Sequence, residues 1–237
     1  MASASADNKG NKPRNRSRGR RRYKGPWPTD ELGIDRGDTF DVVLGPMNER
    51  GELWADYRDV RVLVEGGIPG ESVTVEVLRR FPEHLGTRVL EVAEASPDRR
   101  VPECQYAAVC TGCQWQHVTY ERQLQFKRDM VIDALASEES VKDAPVLPTL
   151  AAPRELGYRN HARFTIGNGG SLGFVNRESR QFVPIDNCML MDPGVNRILG
   201  ELQGRCGETS QLSVRYGVNT GDFLVQPTLS TTEVAIP

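Results

Sequence analysis

The residues best equipped for chemistry are crowded into "CQYAAVCTGCQWQH", positions 104–117, which hold three of the chain's five cysteines and one of its three histidines. Cys104, Cys110 and Cys113 follow the spacing C-x5-C-x2-C. An x2 pair can place two thiolates on one metal or cluster, and a third cysteine just upstream adds the convergence that a soft metal needs. Spacing alone leaves two cofactors open. Zinc would find its fourth ligand in His117, four residues past Cys113. An iron–sulfur cube takes four cysteines and would draw on Cys188, in "DNCMLMDPG", or Cys206, in "QGRCGE". A thioredoxin-like redox pair would need a preceding strand of a βαβ unit, which this segment lacks. Cys206 falls in an expected exposed loop, as a structural cysteine or a surface thiol.

The elements that must position these groups come from a chain of 237 residues, 38% of them hydrophobic, which is enough for one large domain or two to three small ones. No apolar run is long enough to span a bilayer, and the N-terminus has no apolar core of a secretory signal. An odd, uneven set of cysteines fits a reducing compartment, so the expected location is the cytoplasm. Residues 1–28 hold nine Lys or Arg against one acid, Asp7, so the net charge of −2 hides a basic arm on an acidic remainder. The arm has almost no large apolar side chains and is expected to be disordered, with "RNRSRGRRR" suited to phosphates.

Beyond the arm the class is mainly β (α+β). Residues 33–97 are short Val-, Leu- and Thr-rich runs separated by "GPMNERG", "GGIPGE" and "FPEHLG", the pattern of a small closed barrel. Residues 98–148 carry the cysteines and then a helix from about His117 to Ala136. Thr119 is its candidate cap, and Leu124, Val131 and Leu135 form an apolar stripe beside Tyr120, Arg128 and Ile132. Residues 149–237 read as strands again, with a hairpin at Asn168-Gly169, a short helix opened by Asp192-Pro193, and a second hairpin around "VNTG".

The stretch "VPECQYAAVCTGCQWQHVTYERQLQFKRDMV" closely resembles the iron–sulfur segment of bacterial uracil-5 RNA methyltransferases. The matching positions are Pro102, Cys104, Cys110, Gly112, Cys113, Gln116, His117, Tyr120, Gln123, Leu124 and Lys127; the family's usual Gly-Gly before the third cysteine is Thr111-Gly112 here. A fourth family cysteine follows a strand ending in V-D-I, and "FVPIDNCML" puts Cys188 there. The resemblance therefore implies a [4Fe–4S] cluster on Cys104, Cys110, Cys113 and Cys188, with His117 as a structural or hydrogen-bonding residue. It extends over nearly the whole chain: "VRVLVEGGIPGESVTVEV" is similar to the TRAM domain, a barrel of the oligonucleotide-binding type, and the later strands to the family's central β-rich domain.

In that family the chemistry resides in a further C-terminal domain that binds S-adenosylmethionine and supplies a nucleophilic cysteine and a general base. No G-x-G-x-x-G occurs here, and Cys206 lacks the nucleophile's context, so no catalytic residue is assigned and the catalytic domain is expected to be absent from this chain. Two functions follow. One is the RNA-binding, cluster-holding part of an enzyme acting on rRNA or tRNA, with its catalytic domain encoded separately or lost. The other is a stand-alone TRAM and metal module that binds RNA without catalysis. Expected RNA contacts are Arg79, Arg80 and Arg88 on the barrel, Lys127 and Arg128 on the helix, and Arg159 and Arg163 on the first central strand. Each is also acceptable as a solvated surface charge. Tyr57, Phe81 and Trp115 are the rings suited to stacking on bases.

Overall fold

The structure, a computed structural model, describes residues 30–228 except 49, 108, 111 and 178; the basic arm expected at residues 1–28 lies outside the described residues. The first sheet comprises β1 (Thr39–Val43), β2 (Leu53–Tyr57), β3 (Val60–Glu65), β4 (Ser72–Arg80) and β5 (His84–Glu94) in the order β1-β4-β5-β3-β2. All neighbours are antiparallel except β3 and β5, which run parallel. The period-2 pattern of the sequence is realised directly: Val73, Val75 and Val77 of β4 point inward and alternate with half-exposed residues. Register shifts along β4–β5 bend the two longest strands. The sheet thereby curls around one core that takes residues from all five strands, among them Phe40, Leu53, Val62, Val75 and Leu85. The edge strands β1 and β2 are drawn together, with Phe40 and Tyr57 stacked at 4.0 Å between ring centroids. The result is a partly open five-stranded barrel.

Among the described residues from 95 to 119 there is no helix or strand, only turns and an isolated bridge between Arg99 and Val118. Helix α1 (Tyr120–Ala136) follows, preceded by Thr119, whose side chain makes no capping bond. The apolar stripe expected on this helix is not its packing face. Phe126 is its one buried residue, set against Trp115, whereas Val131 and Ile132 are exposed. Phe126 is the apolar anchor of the helix on the cysteine segment, with Gln123 Nε2 donating to Trp115 O and Val118 O beside it, and the spacing of Leu, Val and Ile does not reveal that.

The second sheet comprises β6 (His161–Ile166), β7 (Leu172–Val175), β8 (Phe182–Pro184), β9 (Gln211–Tyr216) and β10 (Phe223–Thr228) in the order β10-β9-β6-β7-β8, antiparallel throughout. Helix α2 (Pro193–Leu202) begins as its sequence expects: Asp192 Oδ1 accepts the Gly194 N–H at 2.8 Å and Pro193 opens the first turn. Its buried face, Val195 and Leu199, packs with Phe164, Leu172, Ile185 and Val214 into a core separate from the barrel's. The Asn168-Gly169 reversal is a single 3-10 turn. Gly170 is required there twice over, by a φ of 76° and because a Cβ would meet the backbone of Gly204 and Cys206 at 2.9 Å. Cys206 is accordingly buried at 5% exposure, in contrast to the exposed loop expected, because its loop folds back under that turn. No helix among the described residues is long and apolar enough to cross a membrane.

Because the two cores are separate, Phe164→Ala, which empties a fully buried site, should cost about 3–5 kcal/mol in the second sheet alone. Native-state hydrogen exchange should speed up in β6 and β9 while amides of β4 keep their protection.

Candidate metal centre and its supports

The cysteine segment is held in place by partners outside it. Tyr106 Oη lies 3.3 Å from Asp186 Oδ2 and accepts the Asp186 N–H at 3.1 Å. Asn176 Nδ2 donates to Val109 O at 2.8 Å. Within the segment, Cys110 N–H donates to Tyr106 O at 2.7 Å and Ala107 N–H to Cys104 O at 3.0 Å, which fold it into consecutive turns. Cys188 sits in the connection between β8 and α2, and Asn196 of α2 clamps it from both sides. Asn196 Oδ1 accepts the Cys188 N–H and Nδ2 donates to the Cys188 carbonyl, each at 3.0 Å.

These supports bring Cys104, Cys110, Cys113 and Cys188 to the wall of one cavity of about 70 Å³, closed by Phe174, Ile185 and Met189. All four are free thiols. Burial pushes the Cys110 and Cys113 thiols up, and the charges of Cys104 and Cys188 push the same way. Ionised thiols at Cys110 and Cys113 are therefore disfavoured. Gln116 hydrogen-bonds Cys113, and its Oε1 is buried with no hydrogen-bond partner among the described residues. No three His, Cys, Asp or Glu side chains among the described residues are gathered so as to hold a single metal ion. Four thiol donors on one cavity wall are the donor type that a thiophilic metal or an iron–sulfur cluster takes.

A second set of bonds fastens this segment to the barrel. Glu71, 1% exposed, lies in the "GGIPGE" loop between β3 and β4. Its Oε2 accepts from Ile68 N–H at 2.8 Å and Arg99 Nη2 at 2.5 Å, and its Oε1 from Ser96 N–H at 3.1 Å and Arg99 Nε at 2.6 Å. Burial alone would raise the Glu71 pKa. The Arg99 guanidinium and the two N–H donors overcome that and hold it below the usual carboxylate value. His117 Nε2 donates to Gly67 O at 2.8 Å, and burial lowers the imidazole's pKa, so the ring is neutral. Sequence reasoning missed Glu71, Arg99, Asn176 and Asn196. Their partners lie 28, 67 and 8 residues away, and no motif marks them.

The expected RNA contacts are dispersed. Arg80 is engaged by Asp30 and Asp35, and Arg88 by Glu76 at 2.7 Å. Arg79 lies over the Phe81 ring at 4.6 Å, and Phe81 stacks on His84. Arg128 Nε donates to Val146 O, and Arg163 Nη2 to Gln211 Oε1. Lys127 and Arg159 line a common cleft beside the cysteines. Tyr57 and Trp115 pack against Phe40 and Phe126.

No family model matches the chain. It is 32% identical over 217 residues to an uncharacterized RNA methyltransferase of Gloeobacter violaceus, covering 84% of this chain and 48% of that protein. It is 29% identical over 208 residues to one from Nostoc, covering 80% and 45%. Its homologues are RNA methyltransferases. The chain spans about half the length of these relatives. The fold is similar to that of the tRNA (uracil-54, C5)-methyltransferase of Pyrococcus abyssi, solved with S-adenosyl-L-homocysteine. The TM-score is 0.56 at 20% identity, over 84% of this chain and 48% of that one.

The Glu71 node makes stability depend on pH with a defined sign. Unfolded, His117 takes up a proton near 6.5; folded, it does so only at lower pH, so stability should be full above about pH 7 and fall as pH drops below 6.5. Glu71 adds a further loss as pH falls below 4.5 toward its lower folded pKa. Urea titrations from pH 7.5 to 5.0 should show the first decline, and His117→Gln should flatten it. Glu71→Ala, which leaves Arg99 and two N–H groups without their acceptor, should cost about 3–5 kcal/mol at pH 7.

Proposed function

We propose that this chain is the RNA-binding, iron–sulfur-containing part of a SAM-dependent RNA (uracil-5-)-methyltransferase acting on rRNA or tRNA. Cys104, Cys110, Cys113 and Cys188 are the cluster ligands in this reading, residues 33–97 a TRAM-type oligonucleotide-binding barrel, and residues 149–237 a central RNA-binding domain. The observation that carries it is the common cavity lined by three cysteines of one segment and a fourth far along the chain. Four thiols match the ligand count of a four-iron cube, with zinc on the same thiols as the alternative cofactor. The strand order β1-β4-β5-β3-β2 with one parallel pair suits an oligonucleotide-binding barrel, and the names of the relatives supply the reaction class.

When bound, the cluster supplies a rigid cross-link between the strand-free segment and the second sheet. The chain's own residues do the positioning: Asn196 fixes Cys188, Tyr106 and Asn176 fix the segment that bears the other three, and Gln116 hydrogen-bonds Cys113. S-adenosylmethionine and the attack on uracil belong, in this reading, to the part of the longer relatives that the chain does not match. Free cysteines throughout accord with a cytoplasmic, reducing location.

Anaerobic purification should yield a brown protein with a broad band at about 400 nm and about four iron and four sulfide per chain. Cys188→Ser should lose most of the iron. A colourless protein with stoichiometric zinc, or full iron retention in Cys188→Ser, would overturn the ligand assignment.

A further inference from the structure

Beside the cysteine cavity the surface opens into a larger cleft of about 760 Å³, and Cys113, Gln116 and Arg159 form walls of both. Four cations line the cleft, Arg100, Lys127, Arg154 and Arg159, against a single acid, Glu155. That balance is the reverse of the chain beyond its basic arm, where acids outnumber bases. The four come from three stretches: Arg100 precedes the cysteines, Lys127 is on α1, and Arg154 and Arg159 lie on the approach to β6.

The walls are fixed rather than loosely apposed. The extended stretch before β6 is laid across α1 by three bonds: Thr149 Oγ1 to Leu124 O at 2.9 Å, Ala152 N–H to Tyr120 Oη at 2.8 Å, and Arg128 Nε to Val146 O at 3.1 Å. Among the described residues none of the four cations is in an ion pair. Arg100 commits only Nε, to Gln116 O at 3.0 Å. Like charges held around one concavity raise its potential, and a polyanion relieves it. The aromatic residues differ in availability. Trp115 is turned against Phe126 and the Tyr120 hydroxyl is bonded, but Tyr158 is 52% exposed at the rim.

We propose that this cleft holds a short single-stranded RNA segment, its phosphates against Arg100, Lys127, Arg154 and Arg159 and one unpaired base stacked on Tyr158. A paired base has no free face for such a ring, so the site selects unpaired strand. This rests on the RNA-binding reading above and adds to it a location and residues, Arg100, Arg154 and Tyr158, that the sequence does not single out.

The test is fluorescence anisotropy with a labelled 12-residue oligouridylate and the full chain, over a range of salt concentrations. The basic arm is the same in every variant, so its contribution cancels. Lys127→Glu with Arg154→Glu should weaken binding at least tenfold. It should also reduce the slope of log affinity against log salt by about 1.4, at about 0.7 per lost phosphate contact on a single strand. Tyr158→Ala should weaken binding about tenfold with the slope retained, and Tyr158→Phe should bind as the parent does. Lys142→Glu with Arg197→Glu reverses two exposed charges outside the cleft and measures the general charge effect. Unchanged thermal melting excludes misfolding at these exposed positions. If the cleft variants lose no more than that control, the cleft is not the site. If the parent chain itself binds no oligouridylate, the RNA-binding reading falls as well.

Discussion

Four sulfur atoms borne by two stretches far apart in the chain share one small cavity, and that convergence is the constraint on which the rest depends. The segment that carries three of them has no helix or strand among its described residues. Tyr106 and Asn176 tie its turns to the second sheet, and Cys188, clamped by Asn196, faces the same cavity. Burial and mutual charge disfavour ionised thiols at Cys110 and Cys113. A link between Cys104 and Cys188 would close a long loop, and the entropy of closure rises only slowly with length, so one inorganic staple can serve where a helix-to-sheet core is lacking.

The other end of the segment is fastened by different chemistry. Glu71 and Arg99 form a buried pair in which each carboxylate oxygen accepts two N–H donors, and His117 adds a neutral hydrogen bond to the neighbouring Gly67 carbonyl. A buried pair of this kind is tolerated because its hydrogen bonds are satisfied; its value lies in specifying how barrel and segment meet. A Cβ at Gly67 would fall 2.1 Å from Leu44 Cδ1, so the buried Leu44 side chain would have to turn aside to admit one. The "GGIPGE" loop is thus both a turn and a docking surface, and it places the cysteine segment between the two cores.

Much of this was legible in the sequence, for local reasons. Alternating Val and Thr with Gly/Pro separators marked the barrel strands, and Asp192-Pro193 marked α2 through a cap whose geometry is local. What escaped was non-local or atypical. The β2–β3 reversal uses Arg58 and Asp59 at φ 47° and 66°, without the glycine that usually signals it. The α1 stripe of Leu124, Val131 and Leu135 suggested a packing face, yet Phe126 makes the burial. Cys206 is buried by a loop that folds beneath Gly170, a contact invisible to a local reading. At the candidate centre the three clustered cysteines were visible from spacing, and Cys188 only through the family resemblance. The residues that hold them, Tyr106, Asn176 and Asn196, act through hydrogen bonds to partners that no sequence pattern marks.

The most direct measurement of the central claim is residue-resolved thiol alkylation of the anaerobically prepared chain, read by mass spectrometry before and after removal of iron with a chelator. If one inorganic centre binds all four, Cys104, Cys110, Cys113 and Cys188 should be protected together and become reactive together, while Cys206 remains unreactive in both states because it is buried. Free alkylation of Cys188 while the other three stay protected would contradict the account.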